Sequence, residues 1–166
     1  MPDTMTLISA QNVGAGGAAS VTFSSIPQTY TDLLIFGSAK NTSGADADWL
    51  AIAFNGSTSN FTSKYLEGNG SGVGSSSLAR LSGASNGAAN IASNYQTYIF
   101  NYTTSAYKAY SFEYGTESNA TLGYTVTGNG LWSNTAAITS ITLTCGNGSN
   151  NFAQYSNFYL YGIKNS

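Results

Sequence analysis

Apolar and polar residues alternate along much of this chain, and a period of two is the mark of a strand with one buried face. From Ala120 to Thr127, Leu122, Tyr124 and Val126 fall on one side and Thr121, Thr125 and Thr127 on the other. Ile141 and Leu143 alternate with Ser140, Thr142 and Thr144. Between Ala106 and Tyr114, Tyr110, Phe112 and Tyr114 share a face, while Ser111 and Glu113 point away. The same reading over Asn94 to Tyr102 gathers Tyr98, Phe100 and Tyr102 on one side. Ile52 falls with Phe54, and Val21 with Phe23. Two runs, Leu33-Leu34-Ile35-Phe36 and Phe158-Tyr159-Leu160-Tyr161, are continuously apolar, which suits strands covered on both faces.

Turn residues separate these runs. Asn55-Gly56 directly after Ala51 to Phe54 predicts a hairpin, because both residues tolerate the positive φ of a type I′ turn. Asn129-Gly130 and Gly146-Asn147-Gly148 are expected to punctuate later strands. No window repeats apolar residues at helical spacing, and Thr, Tyr, Val and Ile favour strands. About nine or ten short strands predict an all-β fold, an antiparallel β-sandwich of jelly-roll type rather than a closed barrel. The stretch Gly68 to Asn90 is dominated by Gly, Ser, Ala and Asn, with Val73, Leu78 and Leu81 as its larger apolar groups. It reads as a long surface loop carrying at most one short strand around Leu78 to Leu81. A smaller loop, Gln11 to Ala19, shares its character. With no repeat and no linker, residues 1–166 are expected to form a single sandwich domain.

Composition sharpens this picture. The 166 residues include 24 Ser, 19 Thr and 17 Asn, yet only 7% are charged, against roughly 25% in an ordinary soluble domain. The chain is therefore polar without being ionic. Five Lys plus Arg against seven Asp plus Glu, a net charge of −2, cannot supply the basic surface that phosphate backbones require, so no nucleic-acid partner is expected. The aromatic content of 13% argues against disorder. No apolar run approaches the ~18 residues of a membrane-spanning helix, so no membrane partner is expected. Met1-Pro2-Asp3-Thr4 carries no basic residue before an apolar stretch, and no secretory signal peptide is expected. Histidine is absent, which removes Ser-His-Asp and Cys-His pairings and the commonest metal ligand. The single cysteine, Cys145, excludes an intrachain disulfide and a multi-thiolate zinc site. It follows Leu143 in alternation and reads as a small buried hydrophobe.

Several constellations invite a chemical reading and have a plainer one. Gly68, Gly70, Gly72 and Gly74 are spaced like a phosphate-binding loop, but no amphipathic helix follows to present its N–H groups. Asp46 and Asp48, with Asn41 and Asp32 as further oxygens, would have to supply the six to eight ligands calcium takes, and solvated turn carboxylates are the simpler reading. Glu113 and Glu117 would serve a glycosidase only at a defined separation across a cleft, and surface charge is the simpler reading. Asn-x-Ser/Thr triplets such as Asn60-Phe61-Thr62 and Asn119-Ala120-Thr121 are expected by chance in a chain so rich in these residues. The 12 tyrosines carry more weight, since an aromatic ring stacks on a sugar or a neighbouring subunit while its hydroxyl bonds laterally. Trp49, Tyr95, Tyr107, Trp132 and Tyr155 are the candidates for glycan or subunit contacts, beside the plainer reading that aromatics at alternating positions of a sandwich belong to its core. No catalytic residue, metal or cofactor is expected.

Three segments resemble a family of small virion structural proteins of tailed bacteriophages: Val21 to Leu33, Gly130 to Ile141, and Phe158 to Lys164. The matching residues are packing and turn patterns, and Gly68 to Asn90 is the variable middle. The resemblance implies a non-enzymatic protein of the virion, assembled in the bacterial host cytoplasm. It implies a capsid decoration or cement protein that binds the major capsid protein on the outer shell, and, as the alternative, a tail-fibre or head-fibre module binding host-surface glycan. Homo-oligomers are expected, trimers ahead of dimers, because association adds buried area that a small monomer lacks.

Overall fold

The structure, a computed structural model, describes residues 4–44, 48–87, 91–118, 123–146, 148 and 150–164. These residues form twelve strands and no helix. In chain order they are β1 (Met5–Asn12), β2 (Ser20–Phe23), β3 (Asp32–Ala39), β4 (Asp48–Phe54), β5 (Phe61–Gly68) and β6 (Val73–Ser76). Then follow β7 (Leu81–Ser85), β8 (Ser93–Ile99), β9 (Lys108–Glu117), β10 (Gly123–Trp132), β11 (Ile141–Cys145) and β12 (Asn157–Ile163). Eight build a long sheet in the order β1-β12-β3-β8-β9-β10-β5-β6, and four build a short one in the order β2-β11-β4-β7. Every strand pairing within the sheets is antiparallel. The chain is an all-β, antiparallel sandwich.

Alternation decides what lies between the sheets. Leu33 and Ile35 of β3, Ile99 of β8 and Leu160 of β12 meet Leu50 and Ile52 of β4, Leu81 of β7 and Leu143 of β11, all fully buried. Each such side chain contributes about 1.5–3 kcal/mol relative to exposure. Aromatic clusters close the two ends of this aliphatic centre. At one, the Trp132 ring lies 6.0 Å from Phe61 and 5.5 Å from Phe54, with Tyr110 5.9 Å from Phe54. At the other, Phe158 packs 4.8 Å from Phe152 and 6.0 Å from Tyr95.

Four sequence expectations change here. Gly68 to Asn90 is not a surface loop: it contains β6 and then β7, whose five residues are all buried as an edge of the short sheet. Small residues stand in β7 because its neighbours come close. A Cβ added at Gly83 would lie 2.9 Å from the Tyr95 ring, and the Ser82 carbonyl accepts a 2.8 Å hydrogen bond from Thr97 Oγ1. Residues 88–90 of that stretch lie outside the described residues.

Asn55-Gly56 does form the tight turn, with φ of 53° and 74° and a 2.9 Å bond from the Ser57 N–H to the Phe54 carbonyl. The turn does not make a hairpin, because β4 and β5 belong to different sheets. Its asparagine is instead stapled to another loop: Nδ2 donates to the Ala137 carbonyl, and Oδ1 accepts from the backbone of Thr139 and Ser140.

Asn129-Gly130 is no turn at all but the interior of β10, which runs on to Trp132. The expected strand start at Ala120 falls outside the described residues, as do Thr121 and Leu122. Glycine is required within β10 because rings from β9 lie across it. A Cβ at Gly130 would sit 2.0 Å from the Tyr110 ring, and one at Gly128 would sit 2.4 Å from Phe112.

The inward faces of β8, β3 and β12 form the fourth correction. Tyr95, Thr97 and Ile99 of β8 are buried, so Tyr98 and Phe100 point outward; Tyr102, beyond the strand, is buried with its hydroxyl on the Pro27 carbonyl. The runs Leu33 to Phe36 and Phe158 to Tyr161 are covered on one face only, leaving Phe36 exposed and Leu34, Tyr159 and Tyr161 half-buried.

Cys145 is buried as expected, with Ser85 Oγ 3.6 Å from its sulfur. Burial raises its thiol pKa to about 12; the Ser85 hydrogen bond lowers it and the Asp48 charge raises it further.

Two outcomes follow from this packing. Gly130→Ala is expected to destabilise by about 1–3 kcal/mol through overpacking against Tyr110, a fall of roughly 2–10 °C in melting temperature. Gly16→Ala, with nothing within 4 Å, is expected to leave it unchanged. Thermal denaturation followed by circular dichroism compares the two. Cys145 is expected to resist a thiol-specific maleimide at pH 8 in the folded protein and to react promptly in denaturant, since the thiolate is the reacting form; mass spectrometry reads the adduct.

Candidate functional site

The residues singled out from sequence do not converge. Trp132 is 1% exposed and Tyr95 4%, so as glycan or subunit contacts both are corrected and the core reading holds: they fall on inward positions, where their bulk fills the core. Trp49 is half-buried on β4 of the short sheet. Tyr107 and Tyr155 are exposed, at 58% and 82%, but stand near opposite ends of the long sheet. Tyr107 leads into β9 beside the β3 end that carries Asp32, whereas Tyr155 precedes β12 beside the end that carries Ala39. These five side chains form no shared platform.

The acidic sets are equally dispersed. Asp48 accepts from the Trp49 N–H and from Asn150 Nδ2, both at 2.9 Å, and Asn41 donates to Ser85 at 2.9 Å. Asp32 begins β3, about 23 Å of strand from Ala39, and there binds the Tyr98 hydroxyl at 2.8 Å and the Asn101 N–H at 2.7 Å. Asp46 lies outside the described residues, among which no group of three or more His, Cys, Asp or Glu is placed to hold a metal. Glu113 and Glu117 share one face of β9, four residues and about 13 Å apart by strand rise, beyond the roughly 5–9.5 Å of glycosidase pairs. The glycine series forms the tip of the β5–β6 hairpin. There Asn69 Oδ1 accepts the Ser71 and Gly72 N–H groups at 3.0 Å, and a strand follows instead of a helix.

What the fold does assemble is the outer face of the long sheet. Register fixes its members: Leu7 opposite Tyr161, Tyr161 opposite Leu34, and Leu34 opposite Tyr98. One step along, Tyr159 lies opposite Phe36, Phe36 opposite Gln96, and Gln96 opposite Glu113. The face therefore divides. Toward the β1 edge it is apolar and aromatic, with Met5 at 42% and Leu7 at 50% exposure. The Phe36 and Tyr161 rings meet edge-on at 6.0 Å, and Tyr98 and Phe100 lie 4.7 Å apart. Burial raises the Tyr98 pKa to about 12, with the Asp32 hydrogen bond and charge adding to it, so this hydroxyl stays protonated. Across β9 and β10 the face is polar, with Ser111, Glu113, Thr125, Thr127 and Asn129.

A groove follows the boundary. One part, of about 870 Å³, is bordered by Phe36, Ser38 and Tyr159 on the aromatic side and by Asn94, Gln96 and Glu113 on the polar side. A second, of about 390 Å³, continues past Leu34, Tyr98, Phe100 and Ser111 and shares Gln96 and Glu113 with the first. At the junction Gln96 Nε2 donates to Glu113 Oε2 at 2.8 Å. Sequence reasoning placed Glu113 on a polar surface and missed Phe36, Gln96 and Tyr159 as a site. The available signal was that both continuous apolar runs carry more apolar side chains than one buried face can take.

No family model and no curated protein matches the chain. Among solved structures, it aligns with a fructofuranosidase variant from Schwanniomyces occidentalis in complex with fructosylnystose, at 8% identity and a TM-score of 0.21. That alignment covers 99% of this chain and 35% of the other; at such a score it carries no argument about fold or activity.

Proposed function

We propose that this protein is a non-enzymatic structural subunit of a tailed-phage particle, a decoration protein that binds the outer capsid surface and cements neighbouring major-capsid subunits. The observation that carries this reading is the aromatic, uncharged part of the long sheet's outer face, spread over β1, β12, β3 and β8 and covered by nothing else in the described chain. Contiguous exposed apolar surface of this kind marks an association site. Burying one such side chain against a partner is worth about 1.5–3 kcal/mol, and many modest contacts repeated over a symmetric shell give avidity. The three segments that resemble phage virion proteins support the setting: they supply β2 and the entry to β3, the passage from β10 to β11, and β12. Trimers at local three-fold positions suit a bridging role. We read the architecture as an elaborated jelly roll. With β1, β9, β10 and β12 set aside, the sets β2-β11-β4-β7 and β3-β8-β5-β6 remain, and every connection except the β5–β6 hairpin crosses between sheets.

Particles lacking this protein are expected to release their DNA at lower temperature than complete ones, and adding back purified protein is expected to restore resistance. Leu7→Ser and Tyr161→Ser are expected to weaken rebinding tenfold or more each while the free protein melts as before. Undiminished heat resistance of particles without the protein would refute the cementing role.

A further inference from the structure

We propose that the groove along β8 is a binding site for a neutral oligosaccharide, entered lengthwise and read by side chains alone. Its reach and chemistry select this occupant. From Asn94 to Phe100 the strand rises about 20 Å, so the groove suits a chain of several sugar rings better than a compact ligand. Its aromatic wall, Phe36, Tyr159, Tyr98 and Phe100, supplies rings of the kind on which the C–H faces of sugars stack. Its polar wall offers an amide, a carboxylate and hydroxyls as hydrogen-bond partners for sugar hydroxyls.

The Gln96–Glu113 hydrogen bond holds two planar groups at the centre. It leaves the Gln96 carbonyl oxygen and the second Glu113 oxygen outside that bond, on two residues that both line the groove. Glu113 is the one charged side chain in either part of the groove, and neither Lys nor Arg lines them. A lone carboxylate there repels uronic acids, sialic acids and phosphates. An extended peptide is disfavoured for a different reason. Peptides that add to a sheet use unpaired backbone groups at an edge, whereas β8 is paired to β3 on one side and β9 on the other. The groove shares Phe36, Tyr159 and Tyr98 with the face proposed to meet the capsid, but sugar binding by the free chain is read without particles, so its failure and that of the virion reading are distinguishable.

The test uses the purified full chain, titrated by calorimetry with the hexasaccharides of cellulose, starch, mannan and β-galactan, and with oligosaccharides of polygalacturonate and hyaluronan. At least one neutral hexasaccharide is expected to bind, and the acidic ones are not. Tyr159→Ala and Gln96→Ala are each expected to weaken that binding tenfold or more. Tyr155→Ala, an exposed ring off the groove, is expected to leave it within twofold, with melting temperatures unchanged throughout. Gln96→Ala removes a surface amide and keeps the test valid if Tyr159→Ala fails to fold. Glu113→Gln keeps the shape and removes the charge, so binding of polygalacturonate oligosaccharides is expected to rise at least fivefold. Absence of binding by all four neutral hexasaccharides overturns the proposal. So do preference for the acidic set, insensitivity to both groove variants, and selection at this groove of peptides from a displayed library in place of any sugar.

Discussion

The sandwich depends on one packing device, a large ring laid across a glycine on the next strand or the facing sheet. Tyr95 is its central instance. The root of its ring lies over Gly83 of the short sheet, and its far edge lies over Gly37 of β3, where an added Cβ would fall 2.3 Å from the ring. Tyr110 over Gly130, Phe112 over Gly128 and Tyr30 over Gly162 repeat the arrangement along the long sheet. Protein interiors are packed near crystal density, so ring and glycine have to be paired in register. The Tyr95 and Tyr110 hydroxyls are buried with no hydrogen-bond partner among the described residues. The bulk of the ring, more than its polar end, is therefore what these positions use.

This device also explains what could be read from the chain and what could not. Alternation correctly marked β2, β9 and β11, because Val21 with Phe23, Tyr110 with Phe112, and Ile141 with Leu143 leave no doubt about the inward side. It failed at β8, where tyrosine occurs on both faces, Tyr95 inward and Tyr98 outward, and a small Thr97 occupies an inward place. Glycine misled in the same way. Asn129-Gly130 and the Ser-Gly-Ala stretch of β7 have turn and loop composition when read alone. They become strands only because Tyr110 and Tyr95, remote in sequence, fill the space their side chains lack. The candidate site shares this limit, since Phe36, Gln96, Glu113 and Tyr159 come from four strands and meet only through register.

Low charge has a structural counterpart as well. Loops and turns are fixed mainly by neutral hydrogen bonds: Asn55 staples its turn to residues 137–140, Asn69 closes the β5–β6 tip, and Asn41 binds Ser85 and Ser43. The buried Lys108 is an informative exception. Its ammonium donates to the carbonyls of Thr104 and Ala106, with Thr135 at 3.4 Å, tying the 101–107 loop to the end of β10; burial lowers its pKa. Neutral bonds of this kind are insensitive to salt, unlike surface ion pairs.

The unequal sheets turn packing into surface. A four-stranded layer covers the inner face of an eight-stranded one, and nothing in the described chain covers the long sheet's outer face. An antiparallel sheet tolerates one solvated face when that face is polar, and the β9–β10 half meets this condition. The β1–β12–β3 half does not: it carries Leu7, Leu34, Phe36, Tyr159 and Tyr161 at outward positions that strand pairing alone would fill equally well with threonine or serine, as it does on β10. A chain otherwise rich in small polar residues thus carries a cluster of rings and aliphatics on a part of its sheet where folding does not need them, with only the exposed Leu66 and Val73 at the β5–β6 edge as an apolar counterpart among the described strands of that sheet. The free energy they can still release lies in contact with something outside the chain. At the boundary with the polar half, aromatic side chains and hydrogen-bonding groups stand side by side along one groove.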